Sequence, residues 1–167
     1  MRELHTEFRR ADPAHELRGL LAFDRAVFRA ADRFPAEYWR EIVSYWMVVD
    51  GARAGCCAFE TLADFQEDVP RDQNNVVLKG SLFIASTGIH PRFQSLGLGR
   101  LMKQWQICYA RRNGFQRIVT NMRARNAAII RLNRELGFQT IRTTPRYYSD
   151  PVDATVVMEL RLSSPGI

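Results

Sequence analysis

A short segment near the middle of the chain has the residue types and the position needed to bind an anion. It consists of Gln94, Ser95, Leu96, Gly97, Leu98, Gly99 and Arg100, and it lies where a helical pattern begins. The first turn of a helix leaves its N–H groups unpaired and carries the positive end of the helix dipole, so it attracts anions. Glycines in that turn let a large anion approach the backbone closely. This segment, the glycine turn, therefore predicts a phosphate-bearing ligand.

Two familiar phosphate-binding motifs do not match the glycine turn. A Rossmann fingerprint has a third glycine three positions after the second, where this chain has Met102. A P-loop ends in Gly-Lys followed by Ser or Thr, and the chain contains no such sequence. The glycine turn is therefore neither a Rossmann fingerprint nor a P-loop.

A strand and a helix are predicted on either side of the glycine turn. The strand is an apolar, β-branched run that includes Leu82, Phe83, Ile84 and Ile89. The helix is predicted to end at Asn113-Gly114. Its apolar residues at helical spacing are Leu98, Leu101, Met102, Trp105 and Tyr109.

The N-terminal part of the chain predicts one strand and two amphipathic helices. Residues 3–9 alternate between apolar and polar types, which is typical of a strand. Asp12 as the N-cap and Pro13 as the first helical residue predict a helix to about Ala31. A second short helix is predicted near Pro35. Its apolar residues are Tyr38, Trp39, Ile42 and Val43.

A hairpin and an acidic loop are predicted next. Asp50-Gly51, a strong hairpin signal, separates two apolar runs at Tyr45–Val49 and Ala54–Phe59. Residues 61–75 have no stable period and predict an exposed loop. A solvated loop is the first interpretation, and a role in binding, which the length of the loop supports, is the second. Its acidic residues are Asp64, Glu67, Asp68 and Asp72.

The C-terminal part predicts three more strands and one helix. The strands are expected at Phe115–Met122, Phe138–Thr144 and Thr155–Leu162, and the helix from Asn126 to Gly137. The whole order is strand, two helices, three strands, helix, strand, helix and two strands. This order predicts an α/β (α+β) fold with one mixed sheet, in a single domain over residues 1–167.

The composition is that of an ordinary globular protein. Of the 167 residues, 46% are hydrophobic and 25% are charged, and a chain of this length buries roughly two thirds of its unfolded surface in one core. No apolar run approaches about 18 residues, and the N-terminus lacks the apolar region of a signal peptide. We therefore expect a cytoplasmic protein without a membrane span.

The three cysteines predict neither a disulfide nor a zinc site. Cys56 and Cys57 are adjacent in an apolar segment, Cys108 lies in the helix after the glycine turn, and none has metal-ligand spacing. We expect three buried, reduced thiols and no bound metal.

Charge is distributed unevenly along the chain, whose net charge is +6. Residues 1–90 hold 11 basic and 14 acidic residues, a net charge of −3, whereas residues 91–167 hold 13 and 4, a net charge of +9. This asymmetry favours an anionic ligand on the C-terminal half, and it would also fit nucleic acid or a solvated surface. No nucleic-acid motif is present, so we expect no nucleic-acid partner.

Several motifs together resemble the GNAT superfamily of acetyl-CoA-dependent N-acetyltransferases. Gln94 to Gly99 fits the central Q/R-x-x-G-x-G/A motif of that superfamily, and Ile89-His90-Pro91 precedes it as apolar-x-Pro. Asn126 to Phe138 resembles the superfamily's next helix, which starts with Asn and ends in Leu-Gly-Phe. The resemblance covers nearly the whole chain and implies a twisted, mostly antiparallel sheet of about seven strands with about four helices.

The resemblance also implies where acetyl-CoA, the cosubstrate, would bind. Backbone amides from Gln94 to Arg100 would hold the CoA pyrophosphate. The backbone of Thr87, Gly88 and Ile89 would pair with the pantetheine arm and polarise the thioester carbonyl. Asn126 and Asn133 would line that arm.

Members of this superfamily usually transfer acetyl directly to an amine in a ternary complex, without an acyl-enzyme. The amine must lose a proton before it attacks. Where relatives often place a carboxylate base, this chain has Ile84-Ala85-Ser86-Thr87. We therefore expect another group to remove the proton from the amine. The candidates are water relayed by Ser86 or Thr87, the carboxylate of Glu60, and His90.

Where many relatives place a tyrosine acid, this chain has Asn133. Asn133 or water would donate a hydrogen bond to the departing thiolate, and Tyr147 and Tyr148 are candidate substitutes for the acid.

The C-terminal stretch from Pro145 to Leu160 resembles ribosomal-protein and other protein N-terminal acetyltransferases, which carry a Tyr pair, a short spacer and Asp-Ala. The resemblance implies that Tyr147 and Tyr148 contact a peptide acceptor. The acidic loop and Glu60 would equally suit a polyamine, an aminoglycoside or another small cationic amine. A non-catalytic acetyl-CoA-binding module is a further alternative. We expect a monomer or a homodimer.

Overall fold

The computed structural model describes residues 3–60 and 80–162, so the predicted acidic loop at residues 61–75 lies outside the described residues. The described residues form two compact units. The first unit comprises residues 3–60 and 85–102, and the second comprises residues 80–84 and 103–162.

The first unit contains three complete strands, two helices and parts of two further elements. Strand β4 (Ser81–Ile89) enters it from the second unit, and helix α3 (Leu98–Arg112) leaves it. The elements are β1 (Thr6–Arg10), α1 (Pro13–Val27), α2 (Ala36–Glu41), β2 (Val43–Val49), β3 (Ala52–Glu60), the end of β4 (Ser81–Ile89) and the start of α3 (Leu98–Arg112).

The second unit contains the start of β4, the rest of α3, and then β5 (Arg117–Arg123), α4 (Ala127–Glu135), β6 (Gln139–Tyr148) and β7 (Asp153–Arg161).

The strands form one seven-stranded sheet in the order β1-β2-β3-β4-β5-β7-β6. Strand β4 pairs with β5 in parallel, whereas β1 with β2, β2 with β3, β5 with β7, and β6 with β7 are antiparallel. The predicted mixed sheet and element order are confirmed. None of the described helices is long and apolar enough to cross a membrane.

Local signals account for most of the element boundaries. The Asp12 carboxylate accepts a hydrogen bond from the N–H of Ala14 at 3.0 Å and caps α1, as predicted. The predicted end of this helix near Ala31 is wrong, because Phe28 is already extended. The guanidinium of Arg33 donates to the carbonyl oxygen of Phe28 at 2.9 Å and stabilises this earlier end.

The hairpin between β2 and β3 has the predicted turn. Asp50 and Gly51 have φ angles of 46° and 82°, and two consecutive positive values are the signature of the tight hairpin turn. The Asp50 side chain also accepts a hydrogen bond from the N–H of His5 at 3.1 Å. The turn therefore holds the N-terminal segment beside the hairpin.

The core of the first unit is built from aromatic and aliphatic side chains of α1, α2, β2 and β3, among them Leu20, Trp39 and Trp46. Asp24 lies beside them and is only 2% exposed. Its carboxylate accepts hydrogen bonds from the N–H of Phe34 at 3.0 Å and from the indole of Trp39 at 3.3 Å. Burial raises the pKa of Asp24. This carboxylate fixes the segment that leads into α2.

The buried face of α3 differs from the predicted one. Leu101 is 37% exposed, whereas Lys103 and Gln106 are buried. Cys108 is also exposed, so its predicted burial is wrong, while Cys56 and Cys57 are buried as predicted. The cause is helical spacing, because Cys108 lies seven residues, about two turns, after Leu101 and shares its solvent-facing side.

Protonation of Glu16 is expected to destabilise the first unit at low pH. The Glu16 carboxylate accepts hydrogen bonds from Arg9 at 2.9 Å and from Arg53 at 2.6 Å. The hydrogen bond from Arg9 is the largest cause that lowers the pKa of Glu16 from 4.5 to about 2. Because the folded pKa lies below the ordinary value, the stabilisation is complete above pH 4.5 and is lost as the pH falls toward 2. The two arginine side chains are 47% and 41% exposed, which limits the effect to about 1 kcal/mol.

Urea unfolding of Glu16→Gln measures this contribution. We expect the substitution to lower the free energy of unfolding by about 1 kcal/mol at pH 7 and to have little effect near pH 2. Glu37→Gln is the matched control, because the Glu37 carboxylate is 76% exposed and lies 3.7 Å from Arg40. Equal losses for Glu16→Gln at both pH values would contradict the assignment.

Candidate active site

The glycine turn follows β4 through a single turn of 3₁₀ helix at Pro91–Phe93. His90 caps this turn, because its Nδ1 accepts a hydrogen bond from the N–H of Arg92 at 3.3 Å. The N–H of His90 donates to the carbonyl oxygen of Ala54 in β3 at 2.8 Å. His90 therefore caps this turn, and its role as a base, which the sequence left open, stays a prediction.

The side chain of Gln94 closes the loop between the strand and the glycine turn. Its Nε2 donates to the carbonyl oxygen of Ile89, the last residue of β4, at 3.2 Å. The N–H of Gln94 donates to the carbonyl oxygen of Pro91 at 3.4 Å. Because the backbone N–H of Gln94 already has an acceptor within the protein, the N–H groups left for the predicted anion would begin after Gln94.

The backbone of the glycine turn is left-handed at two positions, with φ of 65° at Ser95 and 76° at Gly97. The N–H of Leu101 donates to the carbonyl oxygen of Gly97 at 3.3 Å, the first hydrogen bond of the helical ladder. The N–H groups before it have no carbonyl four residues back within the helix. Leu98 anchors the turn, because it is only 4% exposed.

The two glycines of the turn face open space. A Cβ built on Gly97 or on Gly99 would meet no heavy atom of the described residues within 4 Å, and the φ of Gly99 lies outside the left-handed region. At Gly88 in β4, by contrast, a Cβ would lie 2.8 Å from Cγ1 of Val27 in α1. Packing thus requires Gly88, whereas no described residue occupies the space above Gly97 and Gly99. This open backbone at a helix start fits a diphosphate.

The end of β4 carries the two predicted hydroxyl groups on opposite sides. Successive side chains of a strand point to opposite faces, so Ser86 and Thr87 cannot contact the same bound group. Ser86 is only 8% exposed, whereas Thr87 is half-buried. The parallel register of β4 with β5 runs from Ser81 to Ile84, and Thr87 comes after it in the strand.

Glu60 lies at the end of β3, where it accepts a hydrogen bond from the hydroxyl of Tyr38 in α2. Burial, together with this hydrogen bond, raises the pKa of Tyr38. The ring of Phe34 stacks on that of Tyr38 with centroids 4.3 Å apart and an interplanar angle of 20°. A carboxylate and two aromatic rings are therefore in contact in the first unit.

In the second unit, the two predicted asparagines have different environments. Asn126 is the N-cap of α4 and accepts a hydrogen bond from the N–H of Ile129 at 3.5 Å. Asn133 is fully buried, and its Nδ2 lies 3.5 Å from the sulfur of Met122 and 3.8 Å from that of Met158. Its Oδ1 has no hydrogen-bond partner among the described residues. The contacts of both asparagines with a pantetheine arm stay predictions.

Tyr147 and Tyr148 lie at the end of β6, with ring centroids 5.0 Å apart in an edge-to-face arrangement. Tyr147 is 42% exposed and Tyr148 is half-buried. The guanidinium of Arg123 lies 4.5 Å from the centroid of the Tyr148 ring. The pair thus presents one accessible ring and one ring held between neighbours.

The model of the acetyltransferase (GNAT) family matches residues 3–138 of the chain. The chain belongs to the GNAT family. It is therefore an acyltransferase, and the predicted family is confirmed. The matched residues include the whole glycine turn and α4, and they end before the Tyr147-Tyr148 pair. A sequence comparison with curated proteins finds no match.

Several solved structures share the fold of this GNAT protein. The ribosomal-protein-S18-alanine N-acetyltransferase from Escherichia coli has a TM-score of 0.76 and 18% identity, over 97% of both chains. The structure of yncA from Salmonella typhimurium with its cofactor acetyl-CoA has a TM-score of 0.72 and 20% identity, over 98% of this chain and 97% of that chain. The ribosomal-protein-alanine N-acetyltransferase from Brucella melitensis has a TM-score of 0.71 and 20% identity, over 93% of this chain and 99% of that chain. At these identities, the likeness shows the fold alone.

Sequence reasoning missed two side chains that contact the candidate residues of this GNAT protein. Tyr38 was predicted only as an apolar residue of α2, yet its hydroxyl binds Glu60. Arg123 had no predicted role, yet it contacts Tyr148. Both contacts join residues more than 20 positions apart, and no local pattern indicates such a pair. Among the residues that the structure describes, no cluster of His, Cys, Asp and Glu could hold a metal ion.

Proposed function

We propose that this GNAT protein transfers an acetyl group from acetyl-CoA to a primary amine by direct attack in a ternary complex. The observation that carries the proposal is the open glycine turn at the start of α3, where no described residue covers either glycine. Membership of the acetyltransferase family supports acetyl as the group that is transferred. The structural neighbour yncA, solved with acetyl-CoA, supports the donor.

Residues of the first unit would hold the donor. Backbone N–H groups from Ser95 to Arg100 would bind the pyrophosphate at the positive end of the α3 dipole. The backbone of Thr87, Gly88 and Ile89 would pair with the pantetheine arm, as the family resemblance implies. Bound acetyl-CoA supplies the activated acetyl thioester.

The chain's own side chains would move the proton of the amine. Of the two hydroxyls in β4, we assign the water relay to Thr87, because Ser86 faces the other side of the strand and is almost fully buried. Tyr148 is our candidate for the acid that protonates the departing thiolate.

Burial raises the pKa of the Cys56 thiol, which keeps it protonated and supports direct transfer without an acyl-cysteine.

Two acceptor classes have support from different residues. A peptide N-terminus is favoured by the Tyr147-Tyr148 pair and by the names of two structural neighbours, which are ribosomal-protein-alanine N-acetyltransferases. A small cationic amine is favoured by Glu60 beside the rings of Tyr38 and Phe34, because carboxylates and aromatic faces both attract ammonium groups. We place the peptide first, since its support includes the resemblance of the C-terminal stretch.

Release of free CoA thiol in the presence of acetyl-CoA and an amine tests this function. We expect turnover with at least one member of a panel of N-terminal peptides, polyamines and amino sugars. With a peptide N-terminus, the rate should rise with pH toward about 8, whereas with a polyamine it should keep rising toward about 10, following the pKa of each amine. Tight binding of acetyl-CoA without any turnover would instead support the non-catalytic module.

A further inference from the structure

The turn between β6 and β7, residues 149–152, is held by an arginine from the end of β5. Arg123 donates from Nη2 to the carbonyl oxygen of Ser149 at 3.0 Å and from Nη1 to that of Pro151 at 2.6 Å. Its guanidinium also lies 4.5 Å from the centroid of the Tyr148 ring. One planar group therefore binds the turn and the preceding tyrosine at the same time.

The hydroxyl of Tyr148 is held separately from its ring. It lies 3.4 Å from the hydroxyl of Thr155 in β7, and Thr155 is fully buried. The Thr155 hydroxyl in turn lies 3.5 Å from the carbonyl oxygen of Met122 in β5. Contacts at both ends of the Tyr148 side chain select one orientation of the ring.

A second arginine holds the same turn without touching Tyr148 in any described contact. Arg125 donates from its N–H and from Nε to Oδ2 of Asp153, both at 3.1 Å, and from Nη2 to the carbonyl oxygen of Val152 at 3.2 Å. The chain thus offers two arginines that bind one turn, of which Arg123 also contacts the candidate catalytic ring.

We propose that Arg123 is a positioning residue, which fixes the Tyr148 side chain in the orientation used for acetyl transfer to the acceptor. This inference rests on the proposed function of Tyr148. The physical basis is the shape of guanidinium, whose edge binds two carbonyl oxygens while its face lies on an aromatic ring. A lysine ammonium has the same charge but no plane, so it cannot replace these three contacts together.

Kinetics of Arg123→Lys and Arg125→Lys test the proposal with two matched variants that keep the charge. We expect Arg123→Lys to lower kcat/KM for the amine by about 10- to 100-fold, because small displacements of a catalytic group have effects of that size. The KM for acetyl-CoA should change less than about twofold, and Arg125→Lys should lower kcat/KM for the amine less than about threefold. Adding Arg123→Lys to Tyr148→Ala should cause no further loss. Equal losses in the two lysine variants, or additive losses with Tyr148→Ala, would overturn the proposal.

NMR of the tyrosine rings separates this proposal from the proposed function. The chain has five tyrosines, so Tyr148→Phe assigns the ring signals of Tyr148 in selectively labelled protein. We expect Arg123→Lys to shift these signals and Arg125→Lys to leave them in place. Unshifted Tyr148 signals in Arg123→Lys would refute the positioning role even if the wild-type protein acetylates amines. Conversely, a wild-type protein without turnover refutes the proposed function whatever the NMR result.

Discussion

Gly99→Glu is expected to lose at least about 100-fold in affinity for acetyl-CoA while the free energy of unfolding stays nearly unchanged. A side chain at position 99 enters space that contains no atom of residues 3–60 or 80–162 within 4 Å of the Cβ, and the backbone there is not left-handed. The fold can therefore accept the substitution. A carboxylate in that space would face the pyrophosphate, and like charges in contact cost several kcal/mol, where each 1.4 kcal/mol is about tenfold in affinity. Calorimetric titration with acetyl-CoA and urea unfolding measure the two quantities.

Two sets of control variants separate charge, bulk and strain in this experiment. Gly99→Lys adds similar bulk with the opposite charge and should lose less affinity than Gly99→Glu. Gly97→Ala and Gly51→Ala are matched for strain, because the two glycines have φ of 76° and 82° and a Cβ on either meets no described heavy atom within 4 Å. Both should lose about 1 kcal/mol of stability, and only Gly97→Ala should also weaken acetyl-CoA binding. Unchanged affinity in Gly99→Glu would show that the pyrophosphate binds elsewhere.

Arg117→Met is expected to lower the free energy of unfolding by about 3 kcal/mol, because it breaks a buried ion pair from one side. The Arg117 side chain is only 4% exposed and lies 3.2 Å from the carboxylate of Glu159 in β7. It also donates to the hydroxyl of Ser81 in β4 from Nη2 at 2.8 Å and from Nε at 3.0 Å. Burial lowers the pKa of Arg117, which reflects the cost of placing this charge inside the protein. Urea unfolding at neutral pH measures the loss.

Arg161→Met is the control for Arg117→Met, because Arg161 binds the other oxygen of the same carboxylate. Its Nε lies 3.2 Å from Oε1 of Glu159, but its side chain is 73% exposed. Exposed ion pairs contribute about 1 kcal/mol or less, so we expect a small loss. Similar losses in both variants would mean that burial does not determine the strength of this interaction.

Most of the fold was predictable because its boundaries depend on local chemistry. Three boundary signals depend only on residues close by in the sequence. They are the helix cap at Asp12, the hairpin turn at Asp50-Gly51 and the helix cap at Asn126. The buried face of α3 was harder to predict, since Lys103 and Gln106 occupy buried positions that their polarity does not indicate. Burial of such side chains depends on partners elsewhere in the chain.

The candidate site, like the fold, could be predicted where it depends on neighbouring residues and could not be predicted where it depends on contacts between distant elements. The glycine turn is continuous in sequence, so its position at the start of α3 could be predicted. The opposite orientation of Ser86 and Thr87 also follows from the period of a strand, although the two were predicted as interchangeable. The contacts of Tyr38 with Glu60 and of Arg123 with Tyr148 join different elements, and only tertiary packing determines which side chains meet.

The solvent exposure of Cys108 has a practical consequence for studying this enzyme. All three cysteines lie in the described part of the chain, and the other two are buried. A thiol-reactive fluorophore or spin label would therefore attach to the natural protein at a single position, without removal of any cysteine. That position lies on α3 nine residues after Gly99, or about 13 Å along the helix. The native chain thus carries its own attachment point for a spectroscopic reporter on the helix that begins at the proposed donor site.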